Sequence, residues 1–171
     1  MTQYNIIAES QEYTVVAEYD HVATPAEAYQ SEADLEKEFI RLLGEQGYEY
    51  LPIHTEADLI SNLRTRLEKL NHYHFTDSEW EQFFNTCIAN KNDDIVAKTA
   101  KIQDDYIQVL KRDTGESQNI KLIDKDNIHN NTLQVINQYV EEGGNYDTRY
   151  DVTVLVNGLP LVHIELKRRG V

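Results

Sequence analysis

The first half of the chain carries apolar residues at helical spacing three times over, and each stripe follows a capping signal. Ser31-Glu32-Ala33-Asp34 precedes Leu35, Phe39, Leu42 and Leu43, a stripe that runs out near Gly47. Thr55-Glu56-Ala57-Asp58 precedes Leu59, Leu63, Leu67 and Leu70, and Thr76-Asp77-Ser78-Glu79 precedes Trp80, Phe83, Phe84 and Cys87. In each, a hydroxyl can accept the third helical N–H while an acid reaches back, satisfying donors that a helix start leaves orphaned. A shorter fourth helix is expected around Asp93 to Lys101, and a short strand over Tyr13 to Tyr19 before the loop at Thr24-Pro25.

After residue 101 the period changes from helical to alternating. Tyr106 to Lys111 and Ile120 to Ile123 flank a turn at Asp113-Thr114-Gly115 and read as a hairpin. Thr132 to Val140 and Tyr150 to Val156 read as strands separated by Glu141 to Asn145, and Leu159 to Lys167 as the last strand. Helices first and strands later predict an α+β fold, a mixed sheet flanked by the early helices. The expected organisation is one truncated domain over 1–171, helix-rich over 1–101 and sheet-forming over 102–171.

The last two strands raise a question of register. Val152, Val154 and Val156 share one face of the first, with Asp151, Thr153 and Leu155 on the other. The second has Val162, Ile164 and Leu166 on one face, and Leu161, His163, Glu165 and Lys167 on the other. Asn157-Gly158 favours a two-residue turn, which would set Asp151 against Ile164 and mix the faces. A one-residue slip restores them, so the pattern predicts an odd loop or a bulge using the φ freedom of Gly158. Asp151, Glu165 and Lys167 then share one side.

Composition changes the picture next. The 171 residues hold 30 acids against 16 Lys and Arg, a formal charge of −14, which argues against a polyanion partner. The distribution is uneven: residues 1–60 hold 13 acids and 2 bases, residues 121–171 hold 7 acids and 6 bases. The last third is therefore the place for a nucleic-acid site. A single cysteine excludes a disulfide framework, and the absence of a signal peptide or long apolar run points to a soluble cytoplasmic protein away from membranes.

Two carboxylates side by side on a sheet repel unless solvated or bridged by a cation. Oxygen donors of this kind suit Mg²⁺ or Mn²⁺, and a neighbouring lysine can orient water or stabilise charge at phosphorus. Asp151, Glu165 and Lys167 thus form a constellation for phosphodiester hydrolysis, the alternative being a solvated strand end.

The run from Arg149 to Val171, with Asp151 in one strand and Glu165-Leu166-Lys167 closing the next, resembles the PD-(D/E)xK nuclease superfamily. Within it, the run is similar to the amino-terminal nuclease domain of the R (restriction and motor) subunit of type I restriction-modification enzymes. Tyr29 to Glu36, Gln46-Gly47-Tyr48, Lys121 to Asp124 and Val135 to Tyr139 add weaker likeness. The resemblance implies a restriction-endonuclease-like core, Asp151 and Glu165 as metal ligands, and Lys167 acting on the attacking water. It also implies a further acid on the first helix, for which Glu36 matches best and Glu32 is the reserve. Double-stranded DNA and the methyltransferase and specificity subunits are the implied partners. ATP is implied only for a longer subunit's motor, since no G-x-x-x-x-G-K-[ST] motif occurs here. Tyr150 stands where the superfamily usually has Pro.

Lys167-Arg168-Arg169 is the densest basic cluster and a candidate for phosphate contact. His163 shares the catalytic face, where a local hydrogen bond is the plainer expectation. His72 and His74 lack partners at metal-ligand spacing, and Cys87 extends a packing stripe. Two other classes stay open: a non-catalytic interaction module with a nuclease-like fold, and a stand-alone resolvase-like nuclease.

Overall fold

Side-chain oxygens placed ahead of the apolar stripes set the helix starts in the computed structural model. It describes residues 31–141 and 148–167, with the backbone of two short strands at 5–9 and 15–18. The chain divides into two compact units, Met1–Ser31 and Glu32–Val171. In the first, β1 (Asn5–Glu9) pairs antiparallel with β2 (Val15–Glu18), with an irregularity between Ile6 and Ala8. The expected strand contains β2, whereas β1 was not foreseen.

The second unit begins with α1 (Glu32–Glu45), β3 (Glu49–Tyr50), α2 (Glu56–Asn71) and α3 (Asp77–Phe83). A π-helical turn over Phe84–Ile88 extends α3, and α4 (Ile95–Gln103) follows. Then come β4 (Ile107–Lys111), β5 (Ser117–Lys121), β6 (Leu133–Glu141), β7 (Thr148–Val156) and β8 (Leu159–Ile164). Thr55 Oγ1 accepts from Asp58 N at 3.2 Å and Asp94 Oδ1 from Ala97 N at 2.8 Å. Thr76 and Glu79 complete a reciprocal capping box, both bonds 3.1 Å long. Each of these donors would otherwise be orphaned at a helix start.

The main sheet has the order β3-β6-β7-β8, with β3 parallel to β6 and the other pairs antiparallel. It is the expected mixed sheet of an α+β fold. The strands β1, β2 and β3 nevertheless lie within the stretch read as helix-rich. A two-residue strand such as β3 is too short to leave a period in the sequence. Hairpin β4–β5 forms a separate two-stranded sheet.

Helix α2 touches both parts of the core through residues four apart, which align on one face. Leu59 packs against Ile53, Ile136, Tyr139 and Leu155. Leu63 and Leu67 pack with Phe75, Trp80, Phe83, Leu110 and Ile120. Phe75 stands 5.4 Å from Trp80, edge to face, a favourable quadrupole arrangement. The early helices therefore divide their work: α2 lies on the sheet, and α3 closes the hairpin.

Buried polar groups fasten these parts. Glu79, 3% exposed, accepts from Tyr73 Oη at 2.7 Å, and its Oε1 accepts from Asp113 N in the β4–β5 turn at 3.1 Å. The Tyr73 hydrogen bond foremost, then the Thr76 and Asp113 amides and the Arg112 charge, hold its carboxyl below the usual range against the opposing effect of burial. At the far end of β7, Asn157 is 1% exposed. Its Oδ1 accepts from Thr132 N at 2.8 Å, while Nδ2 donates to Leu122 O at 3.0 Å and to Asn131 Oδ1 at 2.8 Å. Its neighbour Gly158, at φ +83°, lies so close to α2 that a Cβ would stand 2.6 Å from Leu63 Cα. Among the described residues no helix is long and apolar enough to cross a membrane.

Two outcomes follow from these packing features. Gly158→Ala forces both left-handed strain and a backbone clash, and urea unfolding should show a loss of about 3 kcal/mol. A carboxyl whose folded pKa is depressed stabilises the fold above its unfolded value, about 4.3, and that gain disappears as pH falls through the folded value. Glu79→Gln should therefore lower the melting temperature at pH 7 and flatten its decline below about pH 4.3, measured by circular dichroism across pH.

Candidate active site

The geometry around Asp151 is decided by a turn and a bulge together. Asn157 and Gly158 have φ of 52° and 83° and form the two-residue turn that their types favour. Val156 then pairs with Leu159 and Leu155 with Pro160, but Val154 pairs with Val162. Leu161 is the extra residue, a bulge that shifts parity by one. The compensation foreseen from the apolar pattern is present, three residues later than Gly158. Beyond it Thr153 pairs with His163 and Val152 with Ile164.

Regular pairing stops there. The last strand was expected to reach Lys167 but ends at Ile164. The reason is local: Asp151 Oδ2 accepts the Leu166 N–H at 2.8 Å, so a side chain takes a bond that a backbone carbonyl would hold in a ladder. Leu166 lies between Glu165 and Lys167, and Lys167 Nζ stands 3.3 Å from Glu165 Oε1. Asp151, inside β7, thus holds the short segment that carries Glu165 and Lys167 just past the end of β8. Asp151 and Glu165 supply oxygen donors of the kind a hard divalent cation takes. Among the described residues, no three His, Cys, Asp or Glu side chains converge into a ready-made metal cluster.

The two faces of β7 are not divided as the alternation suggested. Val152, Thr153 and Leu155 are all buried to 1% exposure or less, so the sheet is covered on both sides there. His163 accordingly makes local contacts: its Nδ1 lies 3.0 Å from Thr153 Oγ1, and its ring stacks on Tyr150 with centroids 3.9 Å apart.

Glu36, on α1, is held by two amides of β6. Its Oε1 accepts from Asn137 Nδ2 at 2.6 Å and its Oε2 from the Gln138 side-chain amide. Gln138 in turn accepts from Arg149 Nε. Asn137-Gln138 was not singled out from sequence, although two amides inside the apolar run Val135 to Val140 are an available signal. Glu32 starts α1. Arg168 and Arg169 lie outside the described residues.

The remaining candidates have structural partners. His74 Nδ1 sits 2.9 Å from Glu68 Oε2, and His72 caps α2 in the left-handed conformation. Cys87, in the π-helical turn, packs against the core cluster.

Residues 29–171 match the family described as type I restriction enzyme R protein N terminus. The chain is 46% identical over 166 residues to the type I restriction enzyme EcoprrI endonuclease subunit of Escherichia coli, covering 96% of this chain and 53% of that protein. It is 40% identical over 148 residues to the SsaAORF53P endonuclease subunit of Staphylococcus saprophyticus, covering 84% of this chain and 15% of that protein. The SauMSSORF170P endonuclease subunit of Staphylococcus aureus is 39% identical over 149 residues, with coverage of 84% and 15%. The chain thus spans about half the length of the first of these and a smaller share of the others.

The Glu165 and Lys167 side chains are 69% and 78% exposed, and an ion pair in that setting contributes about 0–1 kcal/mol. Lys167→Ala should leave the urea midpoint unchanged within about 0.5 kcal/mol, so that any functional loss in this variant reports chemistry rather than folding.

Proposed function

The chain belongs to the family of type I restriction enzyme R protein N termini, and from that membership we propose that it is a Mg²⁺-dependent endonuclease domain. Its reaction is hydrolysis of phosphodiester bonds in unmodified double-stranded DNA. The observation that supports this reading is the tie between Asp151 and the segment that carries Glu165 and Lys167. The Asp151 carboxylate holds the Leu166 amide, and Lys167 Nζ stands 3.3 Å from Glu165.

Asp151 and Glu165 are the residues that would hold Mg²⁺ or Mn²⁺, with Glu36 joining through water. Such an ion polarises a phosphoryl oxygen and lowers the pKa of water, and it supplies positive charge that an acidic chain lacks. The Lys167 ammonium is exposed enough to turn from Glu165 toward the scissile phosphate. There it orients the attacking water and stabilises negative charge developing on the phosphate oxygens. Lys167, Arg168 and Arg169 neutralise flanking phosphates without reading sequence. All three catalytic residues belong to the Glu32–Val171 unit.

Recognition of the DNA sequence and ATP-driven movement belong, on this reading, to other parts of a cytoplasmic restriction complex. Its methyltransferase and specificity subunits are the partners. Plasmid cleavage by the assembled complex, wild type against Lys167→Ala, tests the proposal. A loss of about 100-fold or more is expected for the variant. Equal cutting by the two would sink the assignment.

A further inference from the structure

Strand β6 contains a conformation that strands do not ordinarily hold. Gln138 has φ +53° between paired residues on both sides, and glycine is the residue that normally accepts such an angle. Asn137 pairs with Val152 and Tyr139 with Tyr150, so the rung skipped between them is the one that would join Gln138 to Asp151. The distortion sits beside the candidate active site.

Its consequence is visible in the side chains. Successive residues of a regular strand face opposite ways, so only one of Asn137 and Gln138 could reach a given carboxylate. Here both do: Asn137 Nδ2 donates to Glu36 Oε1 at 2.6 Å, and the Gln138 amide donates to Glu36 Oε2. Each amide is itself oriented by a further partner. Tyr50 Oη donates to Asn137 Oδ1 at 2.9 Å, and Arg149 Nε donates to the Gln138 carbonyl oxygen. The two Glu36 oxygens are thereby fixed by a relay anchored on β3 and β7. Backbone held in a sparsely populated region persists where the surrounding structure over-determines it, and such positions cluster at functional sites.

We infer that Gln138 is a positioning residue: its left-handed backbone turns its amide onto Glu36 and fixes that carboxylate beside the rung where Gln138 would have met Asp151. The inference rests on the nuclease reading above. Gln138 itself touches neither metal nor DNA. It acts through Glu36, whose orientation would otherwise be lost to side-chain rotation on an open helix face.

The test separates positioning from folding. In Gln138→Gly the backbone angle is free of strain while the amide is gone. The expected result is a melting temperature close to wild type, at least fivefold weaker Mn²⁺ binding to the chain by isothermal titration calorimetry, and at least tenfold slower plasmid cleavage by the assembled complex. Glu36→Ala should match it, and the double variant should be no worse than either single one, since both remove the same interaction. Gln138→Asn, which tolerates the left-handed angle but shortens the amide, should move in the same direction. Wild-type Mn²⁺ affinity and cleavage in Gln138→Gly, or in Gln138→Asn if the glycine variant does not fold, would overturn the inference, as would losses that add to those of Glu36→Ala. Undiminished cleavage in Lys167→Ala would instead remove the nuclease reading, and this inference with it.

Discussion

The buried turn at Asn157 and Gly158 is the constraint on which the second unit depends. A side-chain amide at 1% exposure has to find partners inside the protein, because an unsatisfied polar group there costs about 1–3 kcal/mol. Asn157 finds them in two separate pieces of chain: Leu122 after β5, and Asn131 with Thr132 before β6. Asn131 passes the network on to Asp124, accepting from its N–H at 2.8 Å and donating to its carbonyl at 2.8 Å. Asn130, the Asn127 and Asp126 amides and the Lys121 charge hold the Asp124 carboxyl below its ordinary range, outweighing burial. The absent Cβ of Gly158 lets this assembly come against the backbone of α2. Hairpin, sheet and central helix are located relative to one another at this point.

That location also bears on the candidate site. With the turn fixed at two residues, the pairing parity places Asp151 against an apolar position unless something compensates. The bulge at Leu161 does so, and the ladder then runs in register to Val152 and Ile164. The Asp151 carboxylate then ends the strand by taking the Leu166 amide for itself. One side chain both stops the ladder and holds the segment carrying Glu165 and Lys167. The departure of β8 from the sheet and the tethering of the segment that follows it therefore have a single cause.

Acidic residues serve two purposes in this chain. Glu79 and Asp124 are sequestered and hydrogen-bonded by backbone amides, where they fasten loops to the core. Glu36 and Asp151 are held by side-chain and backbone amides, and Glu165 stands in an exposed segment beside Lys167. A charge of −14 is thus a poor guide to the partner of this protein, because the positions of the carboxylates matter more than their number.

What the sequence determined by itself is what depends on neighbours along the chain. Capping oxygens three residues from their amides located α2 and α3, and the helical stripe of α2 named the residues that face the core. The alternation in β7 and β8 showed that a one-residue slip had to occur, because period two fixes parity without reference to the rest of the fold. Asp151, Glu165 and Lys167 stand out as a candidate trio for the same reason. Tertiary structure alone decided where the slip occurs, since Leu161 has no local mark of a bulge. It also decided that both faces of β7 are covered, which depends on α2 lying over Leu155. The left-handed Gln138 was beyond sequence reasoning too. A strained angle at one residue is held by Glu36 and Arg149, 102 and 11 positions away, and no local pattern carries a force that arises between segments so distant.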